Sequence, residues 1–110
     1  KQTRSFCYVD DLVEGLLRLM KSDADITGPI NLGNPGEFTM LDLANQIIAI
    51  TRSKSELVFQ ELPTDDPKQR RPDIGKARAV LDWEPKVNLQ DGLAHTDEYF
   101  RHRLREMVQL

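Results

Sequence analysis

The chain has 110 residues, 39% hydrophobic and 30% charged, with 15 basic side chains against 18 acidic ones and a net charge of −3. That is enough for one domain around one modest core, and it argues against a nucleic-acid binder, which would carry a basic face. Cys7, the single cysteine, cannot close an internal disulfide, and no apolar run approaches the ~20 residues that span a bilayer, so a soluble, cytoplasmic protein is expected.

In chain order, Ser5–Val9 (SFCYV) is short, aromatic and β-branched and predicts a strand. Asp10 suits an N-cap. From Asp11 to about Ser22, residues Leu12, Val13, Leu16, Leu17 and Met20 share one helical face. Gly28-Pro29 ends that segment, and INLG predicts a short strand. Thr39 is the expected cap of a second helix, with Asp42 three residues on and Leu43, Ala44, Ile47 and Ile48 as its buried stripe. SELVFQEL, beginning at Ser55, predicts a strand. Asp73 caps a short third helix in which Ala77, Val80 and Leu81 face inward, and Asn88 and Asp91 begin a long last helix. The expectation is an α/β fold, helices against a sheet too small for an independent doubly wound domain.

Several chemistries find no support. LGNPG lacks the spacing of a dinucleotide fingerprint. Neither tyrosine is followed four residues later by lysine: Tyr8 precedes Leu12 and Tyr99 precedes Arg103. His95 and His102 share a helix face without a third ligand at a metal-site spacing, and they read as exposed histidines. Cys7 reads as a small buried residue.

The arginines differ. Arg4 heads the first strand, at the end of an α/β element where ligand crevices open, and its guanidinium can offer paired donors to phosphate or carboxylate oxygens. A surface ion pair is the alternative for this single residue. Pro67 and Pro72 fix their own φ and hold Asp66 and Arg71 out of helical geometry. The segment between them is stiff, which lowers the entropy lost when Arg70 fixes an anion; a solvated loop with internal Asp–Arg pairs is the alternative. Asp73 can cap the helix that follows or accept from ligand hydroxyls.

QTRSFCYVDDLVEGLLRLM, GPINLGNPGEFTMLDLA and DDPKQRRPDIGKARAVLDWEPKVNLQDGL, in this order, resemble the C-terminal part of the UDP-glucuronate decarboxylases (UDP-xylose synthases) of the extended short-chain dehydrogenase/reductase superfamily. The likeness runs from residue 2 to about residue 101. Within the first two, the motifs R-x-F-x-Y-V-D-D and N-L-G-N-P recur among nucleotide-sugar epimerases and dehydratases, whereas DDPKQRRPDI singles out the decarboxylase branch. The resemblance implies a small C-terminal UDP-sugar-binding domain over residues 1–110, cut from a larger enzyme whose Rossmann domain binds NAD. In that family NAD oxidises C4 of the glucuronate, carbon dioxide leaves from C5, and the hydride returns to give UDP-xylose; the hydride chemistry is the cofactor's. It further implies that Arg4 lines the sugar-diphosphate end of the cleft, Arg70 grips the phosphates, Asp73 lies near the uridine ribose and Asn31 is a cleft residue. The catalytic Thr, Tyr and Lys of the superfamily are absent from these residues, so the chain alone is expected to bind and not to catalyse, and the parent is expected to be a homodimer. A related 4-epimerase or 4,6-dehydratase, and a stand-alone protein-interaction module, remain the other readings.

Overall fold

A computed structural model describes residues 2–61 and 70–108. Strand β1 (Thr3–Arg4) pairs antiparallel with β2 (Phe38–Thr39), Thr3 opposite Thr39 and Arg4 opposite Phe38. The backbone N–H of Met40 donates to the Gln2 carbonyl at 2.9 Å and carries the pairing to the next helix. The strand thus forms earlier than the Ser5–Val9 expected from composition. The chain leaves the ladder after Arg4, and Val9 already opens helix α1 (Val9–Met20). Asp10 is accordingly not the cap. Tyr8 stands there in extended conformation without a side-chain hydrogen bond, and Asp10 and Asp11 lie inside the first turn, where negative charge favours the helix dipole.

Helices α2 (Met40–Thr51), α3 (Gly75–Leu81) and α4 (Leu89–Val108) complete the described elements. Two of their starts follow the sequence signals: Thr39 Oγ1 accepts from the Asp42 N–H at 3.0 Å and Asn88 Oδ1 from the Asp91 N–H at 2.8 Å, each filling a donor that the first helical turn leaves open. At α3 the expected cap Asp73 is displaced by one residue: Ile74 occupies the N-cap without a side-chain hydrogen bond, and Asp73 Oδ1 accepts the Gly75 N–H at 2.9 Å from the position before it. Two helix ends are closed from a distance. Arg101 on α4 donates to the Thr51 carbonyl at the end of α2 (2.9 Å), and Arg18 on α1 donates to the Leu81 and Asp82 carbonyls at the end of α3 (3.2 and 2.6 Å).

The core is small and sits beside α3: Ile74, Ala77, Leu81 and Trp83, with Leu19, Ile30 and Leu32 packed against it. On α1 the residues turned inward are Asp11 and Gly15, and the apolar face picked out by periodicity is half open. Leu12, Val13, Leu16 and Leu17 expose 36–47% of their surface and Met20 81%. The reason is steric. A Cβ on Gly15 would lie 2.9 Å from Leu32 and 3.2 Å from Trp83, so the glycine is what admits the core to this helix. Periodicity finds an apolar stripe without saying which face is covered. Val80 is likewise 39% exposed while its neighbours Ala77 and Leu81 are buried, and Ile47 of the expected α2 stripe is 40% exposed.

Asp11 ties this arrangement together. Its carbonyl accepts the Trp83 indole N–H at 2.9 Å, and its Oδ2 accepts the backbone N–H groups of Lys86 and Val87 at 3.1 and 2.9 Å. INLG and the described part of SELVFQEL, up to Glu61, are not strands. Strands exist by pairing, and no ladder partner lies beside these segments among the described residues; Val58 and Phe59 are about four-fifths exposed (80% and 78%). The result is a set of helices around a small antiparallel sheet, an α/β architecture.

Candidate functional site

The expected arginines meet at one cavity. Arg4, Ser5, Asn31, Gly33, Arg70 and Arg71 line a depression of about 430 Å³. Arg4 arrives there from β1, whose pairing to Phe38 fixes its backbone; its Nη1 also donates to the Thr3 carbonyl at 2.7 Å. Asn31 and Gly33 come from the segment after α1, and Arg70 and Arg71 from the strap that leads into α3.

That strap is held at consecutive positions. Pro72 has a fixed φ and keeps Arg71 extended. Its ring lies so close to Gly33 that a Cβ there would stand 3.0 Å from Pro72 Cγ. The Asn31 side-chain amide donates to the Asp73 carbonyl in a long contact of 3.4 Å, and Ile74, 2% exposed, is sunk in the core. Pro67, the other half of the stiffening expected from the sequence, lies outside the described residues, as do Asp65 and Asp66.

Three arginines therefore line one depression, and no described lining residue is acidic. The forked, positively charged donors of arginine suit phosphate oxygens, which makes the cavity a candidate anion site. Asp73 is not among the described lining residues; its Oδ1 is committed to the start of α3. Cys7 lines the cavity too, but burial foremost, and then the Asp11 carboxylate, push its thiol above the ordinary value, which disfavours the nucleophilic thiolate. His95 packs its ring against Tyr8 at 5.6 Å, and His102 contacts Glu106 at 3.1 Å.

Sequence reasoning missed several lining residues, Ser5 and Gly33 among them. Ser5 sits next to the expected arginine, in a segment whose composition points only to a strand. Gly33 ends INLG, expected as a strand, and its contact with Pro72 joins segments far apart in the chain, which no local pattern reveals.

No protein-family model matches the chain. UDP-glucuronic acid decarboxylase 6 of Arabidopsis thaliana is 57% identical over 103 residues, which cover 94% of this chain and 29% of that protein. The chain is a homologue of the UDP-glucuronic acid decarboxylases. It spans less than a third of the length of this relative. Among solved structures, UDP-glucuronic acid 4-epimerase of Bacillus cereus, in complex with UDP-glucuronic acid and NAD, superposes with a TM-score of 0.81 at 31% identity, covering 92% of this chain and 32% of that one. UDP-glucose 4-epimerase of Thermotoga maritima with UDP-glucose gives 0.83 at 34% identity, over 94% and 33%. The fold is that of the C-terminal part of the extended short-chain dehydrogenase/reductase epimerases.

Proposed function

We propose that this chain forms the UDP-sugar-binding part of an NAD-dependent UDP-glucuronate decarboxylase, a carboxy-lyase that converts UDP-glucuronate to UDP-xylose and carbon dioxide. The observation that carries this is the meeting of Arg4 and Arg70 at one cavity, with Arg71 beside them. The two residues are far apart in sequence and stand on different elements, as the two sides of a diphosphate grip must. In this reading Arg4 and Arg70 neutralise the diphosphate through paired, charge-assisted hydrogen bonds. Asp73, with one oxygen bound to its own helix, offers the other to the uridine ribose, and Asn31 holds the strap while lining the cleft. The decarboxylase reading is preferred to a 4-epimerase because identity reaches 57% with the former and 34% with the latter among the proteins compared.

The residues present do not fit a dinucleotide. The glycine nearest a phosphate-binding turn, Gly33, has its open side filled by Pro72, so no cradle faces outward, and no hydride step is assigned to this chain. NAD belongs, in this proposal, to a Rossmann domain elsewhere in the polypeptide. The half-open apolar face of α1 is the surface such a domain would cover. No described helix is long and apolar enough to cross a membrane, which agrees with a cytoplasmic enzyme, and the parent is proposed to be a homodimer.

The test is UDP affinity, measured by calorimetry on the full polypeptide carrying this chain. Loss of a bidentate contact to a charged group is worth roughly 1.5–3 kcal/mol, so Arg70→Ala should weaken UDP at least tenfold. Equal affinity in wild type and variant would refute the proposal.

A further inference from the structure

We infer that Gly33 is a positioning residue for the diphosphate grip: the space left by its missing side chain sets how closely Arg70 and Arg71 approach Arg4. This rests on the cavity being the diphosphate site, and it adds a residue that touches no ligand.

Gly33 is buried and lies outside the left-handed backbone region, which among the described glycines only Gly28 occupies. Alanine is therefore compatible with its backbone, and the only close neighbours of an added methyl are Pro72 Cγ at 3.0 Å and Pro72 Cβ at 3.4 Å. A flexible side chain would swing away from such a contact. A pyrrolidine ring has much less freedom: Cγ can shift only by a change of pucker, and Cβ is fixed to the ring's own backbone, so what pucker does not relieve the chain itself has to take up.

The direction of that movement is set by the anchors. Ile74 is 2% exposed within the core, and the Asp73 carbonyl is met by the Asn31 amide. Both lie on the α3 side of Pro72, whereas Arg70 and Arg71 lie on the other. A push on the ring is thus resisted toward the helix and transmitted toward the arginines. Charge-assisted hydrogen bonds work over a narrow range, about 2.7–2.9 Å, so a shift of a few tenths of an ångström at the strap degrades the grip on phosphate and leaves contacts to the nucleoside unaltered.

The experiment compares wild type, Gly33→Ala, Pro72→Ala, the double variant Gly33→Ala/Pro72→Ala and Arg70→Ala in the full polypeptide. UDP is titrated by calorimetry and uridine by ligand-observed NMR. Gly33→Ala should weaken UDP about tenfold with uridine unchanged. Pro72→Ala sets the cost of losing the proline's hold on Arg71, and the double variant, in which the space is restored, should bind UDP like Pro72→Ala. A merely structural role would weaken both ligands and cost as much with Pro72 absent as with it present. If Gly33→Ala binds UDP like wild type, or adding Gly33→Ala to Pro72→Ala costs as much as it does in the wild type, the inference is overturned. Should Gly33→Ala fail to fold, recovery of folding and of UDP binding in the double variant supports the inference, and continued misfolding contradicts it. Arg70→Ala separates the two levels. If it weakens UDP while Gly33→Ala does not, only the positioning role fails; if it leaves UDP unchanged, the diphosphate reading fails first.

Discussion

Cys7 shows how a residue's surroundings decide its chemistry. It lines the arginine cavity, where a thiolate would be attracted by guanidinium charge, yet burial and the Asp11 carboxylate raise its pKa above 9.0. The neutral thiol is the form the folded state prefers. Because the folded value exceeds the unfolded one, this contribution to stability is intact below pH 9.0 and is lost as pH rises through the folded value. Iodoacetamide should accordingly alkylate Cys7 at pH 8 several-fold more slowly in the folded protein than in urea, where the ordinary thiol pKa returns. Equal rates would show that the thiol is neither buried nor held neutral. Glu14 illustrates the opposite sense: its hydrogen bond with Arg18, foremost, lowers its pKa, but it lies in open solvent, where such pairs add little to stability.

Between elements, Asp11 does what its sequence position does not announce. As the third residue of α1 it reads as a dipole-favouring acid, yet its carboxylate accepts two backbone N–H groups from the link between α3 and α4. Removing it takes the acceptor from two part-buried donors, and a fully buried donor left unsatisfied costs about 1–3 kcal/mol. Asp11→Ala should lower unfolding free energy by about 2 kcal/mol or more in urea titrations, whereas Asp11→Asn, which keeps an acceptor oxygen, should lose roughly half as much. An Asp11→Ala protein as stable as wild type would mean that the link is held by other contacts. The helices themselves were legible because their signals are local: Thr39 and Asn88 cap where composition placed caps, and α3 begins one residue past the expected cap, with Ile74 in that place and Asp73 bonding the Gly75 N–H from just before it. The strands were not. Ser5–Val9 has strand composition, but pairing with Phe38–Thr39 fixed the ladder at Thr3–Arg4, and a hydrogen-bond partner distant in sequence leaves no mark on the segment that it pairs with.

Across the whole molecule, the Cα radius of gyration is 17.2 Å, against about 13 Å for a compact domain of this length. The shape is broad and thin, 51 × 41 × 21 Å, with a core confined to one side of α3 and the apolar face of α1 half open. The open face is why amphipathic periodicity overstated burial on α1; the chain matches about a third of the length of its relatives. The arginine cavity was legible in part, through residue type and the neighbouring prolines; that Arg4 and Arg70 would share it depended on the strap's anchoring by Gly33 and Ile74, which is tertiary. The most direct measurement is a crystal structure of the full polypeptide with UDP. Guanidinium nitrogens of both Arg4 and Arg70 should stand within about 3.2 Å of diphosphate oxygens. A diphosphate bound elsewhere, with the two arginines engaged by protein carboxylates instead, would contradict the account.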